Sequence, residues 1–160
     1  PLLPSAFAVG SDCTGRYEDN GDSTVTDCRT GLIWLKDAGC LGSMTWNNAI
    51  TAVANLHDGQ CGLRDFSVIG DWRLPTKTEW MAMMENARKL GLSWPPLTNA
   101  SGFSGWSEGN AFTGVDIYGA CWSSTTAFTA YAWGTEFGYG FQRTYGRAEL
   151  HEVWPVRKGQ

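Results

Sequence analysis

The sequence predicts an α+β fold with long loops, on three observations. The stretch Gly70–Trp80, G-D-W-R-L-P-T-K-T-E-W, writes a strand end, a corner and a helix start almost back to back. A second amphipathic stretch precedes it, with Ala49, Ile50, Val53 and Leu56 on one face. Short β-like runs stand towards both ends of the chain, and those after Cys121 are spaced as an antiparallel meander. The 160 residues give room for one domain with a real core, placed at 15–160, with 1–14 read as a linker or processed edge. A hydrophobic share of 42% against 18% charged residues predicts a folded globule, and nine Trp with 20 Gly predict turn-rich, aromatic-packed structure.

In chain order, Gly15–Asp27 reads as a hairpin. Tyr17 and Thr24–Thr26 are strand-like, and Asn20-Gly21 is the favoured pair for a two-residue turn. A turn centred there sets Cys13 opposite Cys28 and predicts a disulfide between them, unless a bulge breaks the register. Asp19, Asp22 and Asp27 invite a calcium reading, but D-N-G-D-S-T lacks the alternating ligands and terminal Glu of a calcium loop. Turn chemistry is the better account of these carboxylates.

Thr30-Gly31 turns the chain into an apolar strand, Leu32–Leu35. A helix capped by Ser43 or Thr45 follows and ends at Asp58-Gly59. Cys40 and Cys61 flank that helix, so a disulfide between them would clamp its ends. His57 near its C-terminus suits the helix dipole.

At the corner, Pro75 keeps Leu74 extended, and Thr76 with Glu79 forms the capping-box arrangement. Trp80, Met84 and Ala87 then share one helical stripe with Met83 and Leu90 beside it, a pattern that reads as core. Function is therefore expected around this corner and not in it. Gly91–Gly119 is loop-rich and carries Trp94-Pro95-Pro96, Phe103, Trp106, Phe112 and Tyr118. A long irregular segment in a compact domain is commonly functional. The β-like runs that follow are Cys121–Thr126, Tyr131–Phe137, Tyr139–Tyr145 and Glu152–Arg157.

Several function classes are disfavoured. A net charge of −4 without a Lys/Arg run argues against nucleic acid, and no apolar run is long enough for membrane insertion. The five cysteines form no C-x-x-C, and His57 and His151 stand in no ligand-like spacing with them, so no metal and no cofactor are expected. The cysteines suit an oxidising compartment, with two disulfides and one thiol left over. His151 with Ser123 or Ser124 and Glu152 makes an imaginable catalytic set, but W-S-S-T lacks the glycine-flanked elbow of hydrolases. The chain is expected not to be an enzyme.

Four segments occur in order: Arg16–Leu35, Gly70–Trp80, Cys121–Thr126 and V-W-P-V-R at Val153–Arg157. Together they resemble the Lcl C-terminal domain family, named for a collagen-like adhesin, over nearly the whole chain from Gly15. The corner and the late strands also look like the C-type-lectin-like and formylglycine-generating-enzyme architectures. The resemblance implies a C-type-lectin-like α+β domain, with two helices packed on a twisted antiparallel sheet and its terminal strands close together. It further implies a secreted or bacterial cell-surface module that binds a glycan or a glycosaminoglycan-like, sulfated polysaccharide, in some members as a homo-trimer beside a collagen-like stalk. This chain has no Gly-X-Y repeat, and its acidic balance runs against a polyanion. Formylglycine-generating enzymes use a late cysteine pair; here only Cys121 stands there, where such domains often carry an aromatic residue, and it is expected as a buried free thiol.

The binding reading rests on Ala127–Glu152, between the framework-like Cys121–Thr126 and Val153–Arg157. Alternation sends Tyr139, Phe141, Arg143, Tyr145 and Arg147 to one strand face and Gly140, Gln142, Thr144 and Gly146 to the other. Tyr131 and Trp133 join the candidate ligand-binding residues, with Trp106 at the edge. Tyr, Trp and Arg are the residue types that make recognition hot spots. The alternative is that this aromatic face is core, but two arginines in register with it favour exposure. A further alternative is a protein-binding receptor module with a variable C-terminal face, of the kind diversified by retroelements.

Overall fold

The structure, a computed structural model, describes residues 13–159. The expected linker lies, up to residue 12, outside the described residues. The chain is α+β: β1 (Tyr17–Asp19), β2 (Thr24–Asp27), β3 (Leu32–Leu35), β4 (Ser43–Met44), α1 (Trp46–Ala54), α2 (Lys77–Lys89), β5 (Ala120–Thr126), β6 (Tyr131–Glu136), β7 (Phe141–Gly146), β8 (His151–Glu152) and β9 (Val156–Lys158). The strands form two sheets, ordered β1-β2-β3-β9 and β4-β8-β5-β6-β7, antiparallel except where β5 meets β8. This corrects the expectation of one sheet. The expected strand Glu152–Arg157 divides into β8 and β9, which belong to different sheets. Val153–Pro155 cross between them, burying Trp154 on the way.

The first hairpin departs from its expected register. Tyr17 pairs with Asp27 and Asp19 with Val25, so the connection is the four residues Asn20–Ser23 instead of a two-residue turn. Local hydrogen bonds explain the longer loop: Asp19 Oδ1 accepts from Gly21 N–H and Asp22 Oδ1 accepts from Thr24 N–H, both at 3.0 Å. These side chains reproduce backbone turns and outcompete the tight turn. The Cys13–Cys28 disulfide is present although Cys13 lies outside the paired strands. A second disulfide joins Cys40 to Cys61, and Cys121 is free and buried.

Both helices follow from local sequence. At α2, Thr76 Oγ1 accepts from Glu79 N–H at 3.1 Å and Glu79 Oε2 accepts from Thr76 N–H at 2.8 Å, which satisfies two orphan donors at once. Arg73 adds a two-pronged pair to the same carboxylate, at 2.7 and 2.8 Å. Leu90 caps the helix and is exposed instead of joining the stripe. Thr45 is the N-cap of α1 but makes no side-chain cap bond, and the helix ends at Ala54, short of Asp58-Gly59.

The larger core cluster is aromatic. Trp80 of α2 lies 5.1 Å from Trp34 and 5.7 Å from Trp154, ring centre to ring centre, with Phe137 and Phe112 around them. Trp80 donates to Trp122 O and Trp154 to Leu35 O, so these indoles bury their rings without stranding their N–H groups. A second cluster packs Ala49 and Val53 of α1 on Trp122, Ala132 and Val153. Together the two clusters fix the β5–β6–β7 meander and leave β7 at the margin of its sheet.

Candidate ligand-binding surface

The β6–β7 register decides where each candidate residue points. Directly opposed residues share a face of a sheet. Ala132 opposes Tyr145, Gly134 opposes Arg143 and Glu136 opposes Phe141, so Phe141, Arg143 and Tyr145 share one face. Tyr131 and Trp133 oppose Gly146 and Thr144 and lie on the other. The structure therefore divides the expected site in two.

Trp133 is half-buried under α2, with Lys77 Nζ 3.4 Å from its ring centre. Tyr145 is half-buried as well, against Trp122 and 4.1 Å from the His151 ring. Its hydroxyl donates to Glu136 at 2.8 Å; burial first, then this carboxylate, pushes the phenol's pKa up. Arg143 is exposed and pairs with the same Glu136 at 3.2 Å. Trp106 joins none of these residues; it packs on the aromatic core and donates to Phe112 O.

Two surface features remain. The first is a run of four exposed rings in contact. Trp94 meets Tyr118 at 6.0 Å and Tyr139 at 4.9 Å, and Tyr139 stacks on Phe141 at 6.2 Å, with exposures of 48, 84, 65 and 60% in the order Trp94, Tyr118, Tyr139, Phe141. Gly138 makes the run possible: a Cβ there would stand 3.0 Å from two carbons of the Trp94 ring. Tyr139 and Phe141 were expected at the site; Trp94 and Tyr118 were not. Their signal was the loop itself, since an irregular stretch rich in aromatic residues has nothing periodic to bury them.

The second feature is a groove of about 650 Å³ across the open end of the β6–β7 hairpin, lined by Tyr131, Arg147, Thr45 and Asn47. Arg147 stacks on Trp46 at 4.5 Å and donates to Tyr131 O at 3.2 Å. The guanidinium has no acidic partner among the described residues.

Most of the residues considered for chemistry are engaged elsewhere. Ser123 donates to Trp133 O, and His151 pairs with Glu149 at 3.2 Å. Asp19 pairs with Lys36, Asp22 serves its turn, and Asp27 pairs with buried Arg16. No group of three or more His, Cys, Asp or Glu is placed to hold a metal ion among the described residues. No helix among them is long and apolar enough to cross a membrane.

No curated protein matches the chain. The family model described as the Lcl C-terminal domain matches residues 23–157, from the first hairpin through the corner, the helices and the meander to the last strand. On that match this chain belongs to the Lcl C-terminal domain family.

Proposed function

We propose that this chain is the ligand-binding module of a secreted or surface-displayed, adhesin-like protein, C-type-lectin-like in architecture, and that it grips carbohydrate on Trp94, Tyr118, Tyr139 and Phe141. The observation that carries the reading is the contact run of four exposed rings beside Arg143. Clustered exposed rings keep apolar surface in water, and covering that surface is favourable; the flat apolar faces of sugar rings do so while hydroxyls reach the polar tips. Arg143 stands two residues from Phe141 on the same face and supplies charge-assisted hydrogen bonds to hydroxyl or carboxylate groups. Two disulfides fit an oxidising compartment. The net charge of −4 favours neutral or weakly acidic glycans over sulfated ones.

A glycan array carrying neutral and sulfated members tests this, followed by titration of the strongest binder against Trp94→Ala and Tyr139→Ala. Loss of about 2 kcal/mol of binding is expected for each, as for an interface hot spot. Unchanged affinity in both variants, or binding that depends wholly on sulfate, would overturn the reading.

A further inference from the structure

Sheet edges carry unpaired backbone N–H and C=O groups, and proteins cover or shorten them. Among the described residues this fold does so at three of its four edges. Beside β1, Arg16 and Tyr17 N–H both donate to Ala100 O. Beside β9, Arg73 and Val156 exchange two backbone bonds at 2.9 Å. The edge strand β4 is two residues long. The fourth edge, β7, runs for six residues, Phe141–Gly146, without proline.

The phase of the ladder shows which groups β7 offers. Arg147 N–H donates to Ala130 O at 2.8 Å, which places that pair in hydrogen-bonded phase. Counting back in twos, Tyr145, Arg143 and Phe141 turn their backbone groups to β6, and Gly146, Thr144 and Gln142 turn theirs outward. Gly146 bears this out, because its N–H is taken by Glu149 Oε1 at 3.0 Å and its C=O by Glu149 N–H at 2.9 Å. The backbone groups of Gln142 and Thr144 have no partner beyond β6 among the described residues.

We infer that β7 is a strand-addition site: an extended segment of a partner protein pairs with the outward N–H and C=O of Gln142 and Thr144 and sets a carboxylate beside Arg143. The charge along the edge selects the acidic segment. Arg143 lies between the two open residues and Arg147 beyond them, and Arg88 lies against Gly140, where a Cβ would stand 2.9 Å from its Nη2. Of these three cations only Arg143 pairs with a carboxylate among the described residues, that of Glu136, and Glu149 pairs with His151, which leaves a cationic edge on a protein of net charge −4. A second copy of this chain fits poorly. Self-pairing that uses both open residues sets Gln142 against Thr144 and therefore Arg143 against its own symmetry mate, and like charges directly opposed are unfavourable. The inference concerns the backbone of the edge and shares only Arg143 with saccharide binding on the rings.

The probe is the acetylated, amidated peptide Ser-Thr-Val-Glu-Val-Thr-Ser, whose palindromic order presents the same side chains whichever way the strand runs, with a Lys-for-Glu version as control. Titration followed by amide NMR and hydrogen exchange is expected to protect the Gln142 and Thr144 amides, with the Lys version at least tenfold weaker. Thr144→Pro removes only an outward N–H, a change edge strands tolerate, and is expected to abolish binding while the melting temperature holds. Should that variant fail to fold, Arg143→Glu serves instead and is expected to reverse the preference to the Lys peptide. The inference is overturned if the Glu peptide does not bind at millimolar concentration, binds with the two amides unprotected, or binds folded Thr144→Pro equally. It is also overturned if Arg143→Glu keeps the original preference, or if sedimentation shows a dimer that Thr144→Pro dissolves, since the edge is then occupied by a second copy.

Discussion

The ring of Tyr145 lies across the backbone of Gly134, its Cδ2 and Cε2 each 2.9 Å from where a Cβ would stand. The two residues sit on neighbouring strands and the same sheet face, so the ring covers the strand that glycine leaves bare. Gly134→Ala forces the ring outward, against its contacts with His151 and Glu136. A cost of about 1–3 kcal/mol is expected, the usual range for overpacking, read by urea denaturation. An unchanged midpoint would show that the ring moves freely.

A second prediction concerns Asp65 and Arg157, which pair at 3.0 Å with side chains 0 and 8% exposed. Ser67 donates to the same carboxylate, and Trp72 donates to the Ser67 hydroxyl. Asp65→Ala leaves a buried guanidinium without its counter-charge, which costs about 3–5 kcal/mol. Replacing both partners with apolar residues, Asp65→Leu with Arg157→Met, is expected to cost less than Asp65→Ala alone. A double-mutant cycle by denaturation checks this, and additive losses would refute it.

Stability should also depend on pH through Glu79. Burial opposes its ionisation, but the Arg73 fork and the Thr76 N–H outweigh burial and hold the carboxyl below its usual range. A carboxyl pKa lowered by folding gives stability that is complete above the unfolded value, about pH 4.3, and is lost as pH falls through the lower folded value. Glu79→Gln is therefore expected to melt earlier at pH 7 and to show a shallower decline in acid. Parallel melting curves against pH for the two proteins would count against this.

What could be read from the sequence was local. The Thr76–Glu79 capping box, the buried Trp80–Ala87 stripe and the apolar strand Leu32–Leu35 depend on neighbours three or four residues away, and the structure shows each. The hairpin register was misread because Asp19 and Asp22 bond to the backbone two residues on, and that contribution is invisible to a dipeptide rule. Alternation placed Phe141, Arg143 and Tyr145 together, yet it could not show that Tyr131 and Trp133 fall on the opposite face. That depends on the length of the Phe137–Gly140 connection and hence on how two strands meet. Trp94 and Tyr118 escaped for the same reason, since non-local folding brings them to Tyr139.

Cys121 should be chemically silent in the native protein. It is 3% exposed, and burial first, then Glu152 and Asp116, push its thiol pKa up. Thiolate is the reactive form, so alkylation is expected only on unfolding. Mass spectrometry after iodoacetamide treatment in native buffer and in urea separates the two, and modification in native buffer would show an opening that the fold does not suggest.

The last prediction connects backbone packing to ligand binding. Trp94 owes its place in the ring run to Gly138, because the indole lies where any side chain at that position would be. Ile117 O also crowds the same point, so the new atom cannot be relieved by a shift in that direction. Gly138→Ala therefore displaces Trp94 from Tyr139 and breaks the run without altering any ring. If saccharides bind across these rings, Gly138→Ala weakens binding to about the same extent as Trp94→Ala, roughly the 2 kcal/mol of a hot spot. The double variant should then lose little more than either single, because both remove the same arrangement and their effects are not independent. Titration of the strongest array glycan against the three variants gives the cycle. Strictly additive losses would place Gly138 and Trp94 in separate contributions and dissolve the link between them.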